Sequence, residues 1–438
     1  MGHEHRCPNL RRKRHIMAGA TTDITHGNDG SQPIVPVSAV GPSVIEALAA
    51  TSAGLEIWWD SSPLIFPKWV EETVASVEDA NKRARLATQL HRLHNVTDTS
   101  ANIIVGVTTN PPLTAQAIQK DPARWEAWID AEIKANPGIS AHEVFWRTYR
   151  QVVSLGAAEF VGVFERTNHR LGYLSGQVDP RILEDTAEMV RQGIELNTAN
   201  KNVMVKMPGT KQGIEGIRQL TALGIPTNAT LTFVMSQLVG VAEAVKAGLG
   251  EARANGVDLS MWKSVCTMML GRFEDAKAFK RQAGELGIEL SESDLRWAGT
   301  AVFKKAYHLF KARGYETKML AASMRVGPKV DGRTKVRHVE ELAGGDVVLT
   351  IFPNIYEALL ANYEPEEIHS HIHEPIPADV LAKLLKIPYF VEGYDEHGVT
   401  PEAFITHPAV KETAVAFAQA TDGLEAYCAS RVAAASAK

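Results

Sequence analysis

Lys206 is the residue of this sequence whose type and setting could most directly support chemistry. It lies in the segment Asn202–Pro208 (NVMVKMP), where apolar residues lead up to one lysine and a proline closes the run. This pattern predicts a buried parallel strand whose last inward-facing side chain is an amine. Burial disfavours the charged amine and lowers its pKa, and a neutral amine is what Schiff-base formation with a carbonyl requires. The alternative is a lysine that ends a strand and extends into solvent.

Eight short apolar runs predict the strands that would position this lysine. They are Leu55–Asp60, Ile103–Thr108, Leu171–Val178, Asn202–Met207, Pro226–Leu231, Ser264–Met269, Lys318–Ser323 and Asp346–Phe352. Helix-type patterns lie between them, for example Arg181–Asn197 and Met235–Leu249. Strands that alternate with helices predict a (β/α)8 TIM barrel. An open doubly wound sheet is the rival fold, but no GxGxxG or P-loop pattern follows the first strand.

Polar residues follow nearly every predicted strand. Active sites of this barrel form at the carboxyl ends of its strands, so these side chains are expected to converge around Lys206. The candidates are Asp60, Thr108, Thr109, Asn110, Gln177, Asn228, Thr230, Thr267, Arg272, Ser323 and Arg325.

Composition restricts the class of protein. The chain has 438 residues, 45% hydrophobic and 22% charged, as is usual for a globular protein. A net charge of −5 gives no basic field for nucleic acid or an anionic membrane. No apolar run reaches the roughly 18 residues that a membrane-spanning helix needs. Three widely spaced cysteines predict neither a disulfide framework nor a thiolate metal site, so we expect a reducing, cytoplasmic location.

The first 43 residues differ in composition from the rest of the chain. They are polar, contain the basic run Arg11–Arg14 and lack the apolar stretch of a secretory signal. We expect residues 1–43 to be a disordered or processed tail rather than a targeting or nucleic-acid-binding segment, with Met17 as an alternative start. Residues 44–438 are then expected to form one barrel domain that includes a C-terminal helical extension.

Three histidines, His369, His371 and His373, alternate along the chain and would face one side of an extended segment. Such a group can bind zinc or nickel. No carboxylate or cysteine partner at helical spacing accompanies them, and a proline-rich turn follows. We therefore predict no metal site.

The motifs at the strand ends resemble those of the transaldolase family. Thr108–Pro111 resembles its T-T-N-P signature, and Val205–Pro208 resembles its Schiff-base lysine segment. Asn228–Leu231 is similar to its N-x-T-L strand. Gly271-Arg272 and Ala322–Arg325 are similar to its two phosphate-binding segments, and Phe404 to Tyr427 to its final helix. The likeness covers roughly residues 55–430.

The resemblance implies a class I aldolase-type barrel with extra loops and helices and a C-terminal helix over the mouth. Lys206 would form a Schiff base with a ketose phosphate, and no metal or organic cofactor would be needed. Asp60 would act as the acid/base group, although Asp60 followed by Ser61-Ser62-Pro63 is also a good helix start. Thr230 would hold a catalytic water, or would simply pack in its strand.

The remaining site residues would bind substrate under the same resemblance. Asn110 and Asn228 would bind hydroxyl groups, with Thr109 and Thr267 beside them. Two arginines would bind the phosphate, because guanidinium donors pair with phosphate oxygens in a bidentate manner, and Ser323 would add a hydroxyl donor. The arginines are Arg272 and Arg325.

Two positions depart from the usual family pattern. Gln177 stands where transaldolases usually carry a glutamate that transfers protons through a water, whereas fructose 6-phosphate aldolases carry glutamine. Met269 stands where those aldolases have a tyrosine and ordinary transaldolases a phenylalanine. About 50 residues separate Asp60 from Asn110, more than in compact members.

The function expected is therefore transfer of a dihydroxyacetone unit between sugar phosphates, with a homodimer as the candidate assembly. The first alternative is a fructose 6-phosphate-type aldolase or a specialised-metabolism transaldolase with a non-standard acceptor. The second is a non-catalytic sugar-phosphate-binding barrel, which would need neither Lys206 nor Asp60.

Overall fold

A closed barrel of eight parallel strands forms the centre of the structure, which is a computed structural model describing residues 40–436. The strands follow one another around the barrel in chain order, and the last pairs with the first. They are β1 Glu56–Trp59, β2 Ile104–Thr108, β3 Tyr173–Gln177, β4 Val203–Pro208, β5 Thr227–Thr230, β6 Ser264–Met269, β7 Lys318–Ala322 and β10 Val348–Ile351. A small antiparallel pair, β8 Lys329–Val330 and β9 Arg333–Thr334, lies in the connection after β7.

Helices connect the strands and cover the barrel. They are α1 Val44–Ala50, α2 Phe66–Ala75, α3 Ala80–Leu93, α4 Pro111–Lys120, α5 Pro122–Ala135, α6 Ala141–Ala158, α7 Val161–Arg166, α8 Thr186–Asn197, α9 Lys211–Ala222, α10 Met235–Ala254, α11 Leu270–Asp275, α12 Lys277–Glu285, α13 Glu292–Arg313, α14 Arg337–Leu342, α15 Pro353–Asn362, α16 Ala378–Leu384, α17 Pro388–Tyr394 and α18 Pro408–Ser436. The predicted (β/α)8 barrel is confirmed, and the open doubly wound sheet is excluded.

The eight predicted strands all form, each within two residues of the predicted ends. The helix predictions were less accurate. The helix predicted from Arg181 begins only at Thr186, because the Asp185 side chain caps it and Asp179 holds Arg181 in a preceding turn. Residues 273–286 do not form one continuous helix, because the backbone of Ala276 between α11 and α12 is extended.

The interior of the barrel is layered. An apolar cluster of inward-facing residues fills its middle, formed chiefly by Trp58, Tyr173, Met204, Val265 and Leu320. Alternate strand residues face outward into a larger core between strands and helices. Except for Ala322 on β7, the next inward-facing residues toward the carboxyl ends are polar, so the polar site lies directly above the apolar cluster.

A buried ion cluster closes the opposite, amino-terminal end of the barrel. The Glu56 carboxylate accepts hydrogen bonds from Lys263 at 2.7 Å and from Lys318 at 2.9 Å, and from the Trp58 indole at 3.0 Å. Since the amino-terminal face of this fold serves stability rather than catalysis, we assign the cluster a structural role.

The C-terminal helix α18 packs against α4, α5 and α6 on the outside of the barrel. No helix within residues 40–436 has both the length and the apolar composition needed to cross a membrane. The basic run Arg11–Arg14, the alternative start at Met17 and most of the proposed 1–43 tail lie outside the described residues, and the division at residue 43 stays a prediction.

Candidate active site

A cavity of about 430 Å³ opens at the carboxyl ends of the barrel strands. It brings together residues from strands that are far apart in sequence, together with the helices that follow them. Its predicted members are Asp60, Asn110, Lys206, Thr230, Thr267, Arg272, Ser323 and Arg325. Four other predicted residues do not line the cavity: Thr108, Thr109, Gln177 and Asn228.

Lys206 is buried near the end of β4, with 4% of its surface exposed. In the strand register it lies between Gln177 on β3 and Asn228 on β5. Its Nζ donates a hydrogen bond to the backbone carbonyl of Thr109 at 3.2 Å. Burial lowers the pKa of Lys206 to about 8, although the nearby Asp60 carboxylate opposes the shift. The lysine therefore does not extend into solvent, and its neutral form is accessible near neutral pH.

Asp60 lies directly after β1 and faces the same cavity. Burial raises the pKa of Asp60. The positive charge of Lys206, the hydrogen bond from Thr108 and the positive charge of Arg325 each lower it. The Thr108 hydroxyl donates to Oδ1 of Asp60 at 2.7 Å. Its oxygen also lies 2.6 Å from the Thr350 hydroxyl, which must be the donor because Thr108 has only one proton to give. This chain of hydroxyls fixes the orientation of the carboxylate.

Asn228 is the centre of a second hydrogen-bond network. Its Nδ2 donates to the Ser175 hydroxyl at 2.9 Å, and its Oδ1 accepts from the Thr267 hydroxyl at 2.6 Å. All three side chains are buried. Ser175 was not among the predicted site residues, yet its position two residues before Gln177 on β3 marks it as inward-facing. Thr267 reaches both this network and the cavity.

Gln177 is held by its backbone more than by its side chain. Its N–H donates to the Tyr149 hydroxyl at 2.7 Å, whereas its Oε1 is buried and makes no hydrogen bond with the described residues. Thr230, on the far side of Lys206, has its hydroxyl 3.8 Å from the Met269 sulfur. Met269 itself lines the cavity.

Thr109 and Asn110 have structural contacts at the start of α4. The Thr109 hydroxyl donates to the Ser175 carbonyl at 3.0 Å. The Asn110 Oδ1 caps the helix by accepting from the Leu113 N–H at 2.9 Å, which leaves its amide Nδ2 for a ligand. The predicted substrate contact of Thr109 stays a prediction, since its hydroxyl is engaged with Ser175 and its carbonyl with Lys206.

Two arginines form the cationic wall of the cavity. Arg325 donates from Nε to Asp275 at 2.9 Å and from Nη1 to the carbonyl and the hydroxyl of Ser323. The side chain of Arg272 makes no hydrogen bond or ion pair with any residue in the range 40–436. Burial, and then the neighbouring Arg325 guanidinium, lowers the pKa of Arg272. Two close cations with free donors form a site for an anion.

Several cavity residues were not predicted from the sequence. The aromatic side chains come from the end of β10 and from α18, and polar ones from α4 and α15. They are Gln116, Phe352, Asn354 and Phe417. Phe417 belongs to the C-terminal helix, so the prediction of a helix over the mouth fits its position. Only its place in that helix could have indicated it, because no polar group or strand end marks it.

A larger cavity of about 690 Å³ lies between α2, α3 and α15, lined by residues such as Trp69, Lys82 and Tyr363. None of the predicted site residues lies in it, and its lining comes from helices and loops rather than from the ends of the barrel strands. We therefore take the smaller, barrel-mouth cavity as the candidate active site.

The three alternating histidines do not form a common face. His371 contacts Glu374 at 2.9 Å, and the His373 ring lies 5.4 Å from that of His308. Backbone carbonyls of His371 and Glu374 instead accept hydrogen bonds from the buried Lys304. Within residues 40–436 no group of three histidine, cysteine or acidic side chains is arranged to hold a metal ion.

A family model and individual proteins that resemble this chain point to the same family. Residues 89–426 match the model of the family described as transaldolase/fructose-6-phosphate aldolase. The chain is 32% identical over 211 residues to transaldolase 1 of Streptomyces coelicolor, which covers 48% of this chain and 53% of the relative. It is 28% identical over 276 residues to the transaldolase of Trichodesmium erythraeum, covering 58% and 71%. The chain thus spans about half the length of the first of these relatives.

Proposed function

The chain belongs to the transaldolase/fructose-6-phosphate aldolase family, and we propose that it transfers a dihydroxyacetone unit between sugar phosphates through a Schiff base on Lys206. The observation that carries this proposal is the buried Lys206 amine, whose pKa is lowered to about 8, in one cavity with Asp60 and two arginines. A non-catalytic sugar-phosphate-binding barrel would have no use for a buried lysine with a depressed pKa. The proposal includes a cytoplasmic location, the pentose phosphate pathway as metabolic setting and a homodimer as assembly.

The first step is addition of the neutral Lys206 amine to the C2 carbonyl of a ketose phosphate. Loss of water from the carbinolamine gives a protonated imine, which attracts electrons as a metal or organic cofactor would in other enzymes. Asp60 then takes the proton of the C4 hydroxyl. The C3–C4 bond breaks, its electron pair forms the enamine on Lys206, and the aldose phosphate leaves.

The second half reverses these steps with another aldehyde. The enamine carbon attacks the acceptor carbonyl, Asp60 returns the proton to the new hydroxyl, and water releases the product from Lys206. Arg272 and Arg325 bind the phosphate of donor and acceptor at the same place, so both aldehydes present their carbonyl to the enamine in the same position.

Hydrolysis of the enamine without an acceptor would give a fructose 6-phosphate-type aldolase. Gln177 favours this second candidate, because an amide orients a water but cannot exchange a proton with it at neutral pH. Its Oε1, buried beside Lys206 and without a hydrogen-bond partner among residues 40–436, is suited to hold such a water.

Borohydride trapping tests the proposal. The protein is incubated with fructose 6-phosphate, reduced and analysed by peptide mass spectrometry, and the expected result is a three-carbon adduct on Lys206. Lys206→Ala should lose both adduct and turnover, whereas the exposed Lys211 on α9 serves as the matched control. An adduct elsewhere, or activity that survives in Lys206→Ala, would disprove the mechanism. Release of dihydroxyacetone with and without erythrose 4-phosphate separates aldolase from transferase.

A further inference from the structure

A buried network links both cavity arginines to one histidine outside the cavity. The backbone N–H of Arg325 donates to Nδ1 of His338, on α14, at 3.1 Å. Because Nδ1 accepts, the ring proton lies on Nε2, which donates to Oε1 of Glu274 at 2.7 Å. The other oxygen of Glu274 accepts from Arg296 on α13. His338 and Glu274 are completely buried.

The same network reaches Arg272 through α11. This helix follows β6 and carries Arg272, Glu274 and Asp275 within four residues. Glu274 fixes the buried side of the helix, and Asp275 accepts from the Arg325 guanidinium at 2.9 Å. The positions of Arg272 and Arg325 relative to each other are therefore set by contacts to one short helix.

The backbone before Arg325 needs such support. Ser323 has a φ of 57°, a left-handed conformation that is unfavourable for a residue with a side chain. Two backbone contacts hold this segment: Gly271 donates to the Ser323 carbonyl at 3.0 Å, and Arg325 donates to His338. A Cβ on Gly271 would meet the Ser323 oxygen at 2.2 Å, so the fit between α11 and this segment is close.

We propose that His338, held by Glu274 and Arg296, is the positioning residue for the anion-binding pair Arg272 and Arg325. It does not touch the anion. It fixes the backbone from which Arg325 extends, so that the free donors of both guanidinium groups converge on one phosphate. The inference rests on the proposed function only in taking that phosphate as part of the substrate.

Two variants separate the two hydrogen bonds of His338. In His338→Gln the amide nitrogen can still donate to Glu274, but the acceptor for the Arg325 N–H is lost. In His338→Asn the amide oxygen can still accept from Arg325, but Glu274 loses its donor. The second variant should be the less stable one, because it leaves a buried carboxylate oxygen unpaired.

The measurements are the Kd for inorganic phosphate, the KM for fructose 6-phosphate, the Tm, and borohydride trapping of unphosphorylated dihydroxyacetone on Lys206. We expect His338→Gln to weaken phosphate binding and raise KM by up to about tenfold, the upper end of what one neutral hydrogen bond contributes. Trapping of dihydroxyacetone should stay unchanged. His338→Asn should bind phosphate better than His338→Gln despite its lower Tm, and His308→Gln, an exposed histidine of α13, should behave as wild type.

A purely structural role would give the opposite order, with phosphate binding following Tm, and that result would overturn the inference. Equal loss of dihydroxyacetone trapping would also overturn it, since it would indicate general damage to the site. Failure of the wild-type protein to form any Lys206 adduct would instead refute the proposed function. A wild-type adduct together with unchanged phosphate binding in both variants would refute only the role of His338.

Discussion

The amine of Lys206 and the backbone carbonyl of Thr109 are joined by a hydrogen bond of 3.2 Å. A neutral amine that gives one N–H to this carbonyl has its lone pair directed away from it. Thr109 comes from the end of β2, whereas Lys206 lies on β4, so the barrel itself sets the direction of that lone pair. The Thr109–Asn110 turn thus contributes to the site through its main chain.

The pKa of Lys206 predicts the pH dependence of Schiff-base formation. Because the pKa is lowered to about 8, only about a tenth of the amine is neutral at pH 7, and nearly all of it is neutral at pH 9. The single-turnover rate of adduct formation should therefore rise from pH 6 and level off above about pH 8. Rapid quenching with borohydride measures this rate. A profile that rises up to pH 10 would mean that the lysine is not desolvated.

The arginine pair predicts a specific kinetic change. Arg272→Ala should raise KM for phosphorylated substrates more than it lowers kcat, because phosphate binding is common to ground and transition states. Loss of a charged hydrogen-bond donor costs about 1.5–3 kcal/mol, or roughly 10- to 150-fold. Arg325→Ala should be worse, since it also leaves the Asp275 carboxylate beside the phosphate without its partner. The exposed Arg281 on α12 gives the matched control, and an unchanged KM would show that no phosphate binds there.

Much of this site could be predicted from the sequence, because each barrel strand appears in it as a short apolar run. Lys206, Asp60 and Arg325 could be predicted since each ends or follows an apolar run, and the fold brings strand ends together. Ser175 and Thr350 were not predicted because they lie within their strands. Whether a polar residue within a strand faces the barrel interior can be decided only once the strand register is known. The contact of Phe417 with the cavity and the role of His338 depend on how distant helices pack, so the sequence predicts the C-terminal helix but neither of these two contacts.

The Thr108 hydroxyl should control the protonation of Asp60. Its hydrogen bond lowers the pKa of the carboxyl group, against the larger effect of burial. Thr108→Val should therefore raise that pKa further, so that activity is lost at a higher pH as the solution is acidified. The acid limb of the kcat/KM profile reports this shift. Thr350→Val removes only the more distant hydroxyl, so it should shift the acid limb of the profile less. Equal shifts in the two variants would contradict a chain of hydrogen bonds that runs from Thr350 through Thr108 to Asp60.

The ion cluster at the amino-terminal end should affect stability and not catalysis. Burial raises the pKa of Glu56, but Lys263 and Lys318 outweigh it, so the pKa lies below its ordinary value. The stabilising effect of a lowered carboxyl pKa is present above the unfolded value and is lost as the pH falls through the folded one. Glu56→Gln should lower the free energy of unfolding, by less than the roughly 3–5 kcal/mol of a fully buried pair, because both lysines are only partly buried and Lys318 keeps its contact with Asp346. Denaturant unfolding of the wild type and Glu56→Gln measures this change in the free energy of unfolding. KM should stay unchanged, and a rise in KM would mean that the ion cluster also affects the geometry of the site.

Gln177→Glu distinguishes an ordinary transaldolase that happens to carry glutamine from an enzyme adapted to another reaction. A carboxylate can relay a proton through a bound water, so in the first case transfer between fructose 6-phosphate and erythrose 4-phosphate should rise, by up to the 10²–10⁴-fold of a general acid–base group.

The structure favours the second case and a loss of the native activity in Gln177→Glu. The new carboxylate would lie next to Lys206 in the register, where it would stabilise the protonated amine and raise its pKa. The higher pKa reduces the neutral, reactive form of the amine, and Met269 already departs from the usual pattern on the other side of Lys206. Parallel kinetics of the wild type and Gln177→Glu on one panel of ketose and aldose phosphates decides the matter. A clear gain in fructose 6-phosphate to erythrose 4-phosphate transfer would show that the glutamine is not an adaptation.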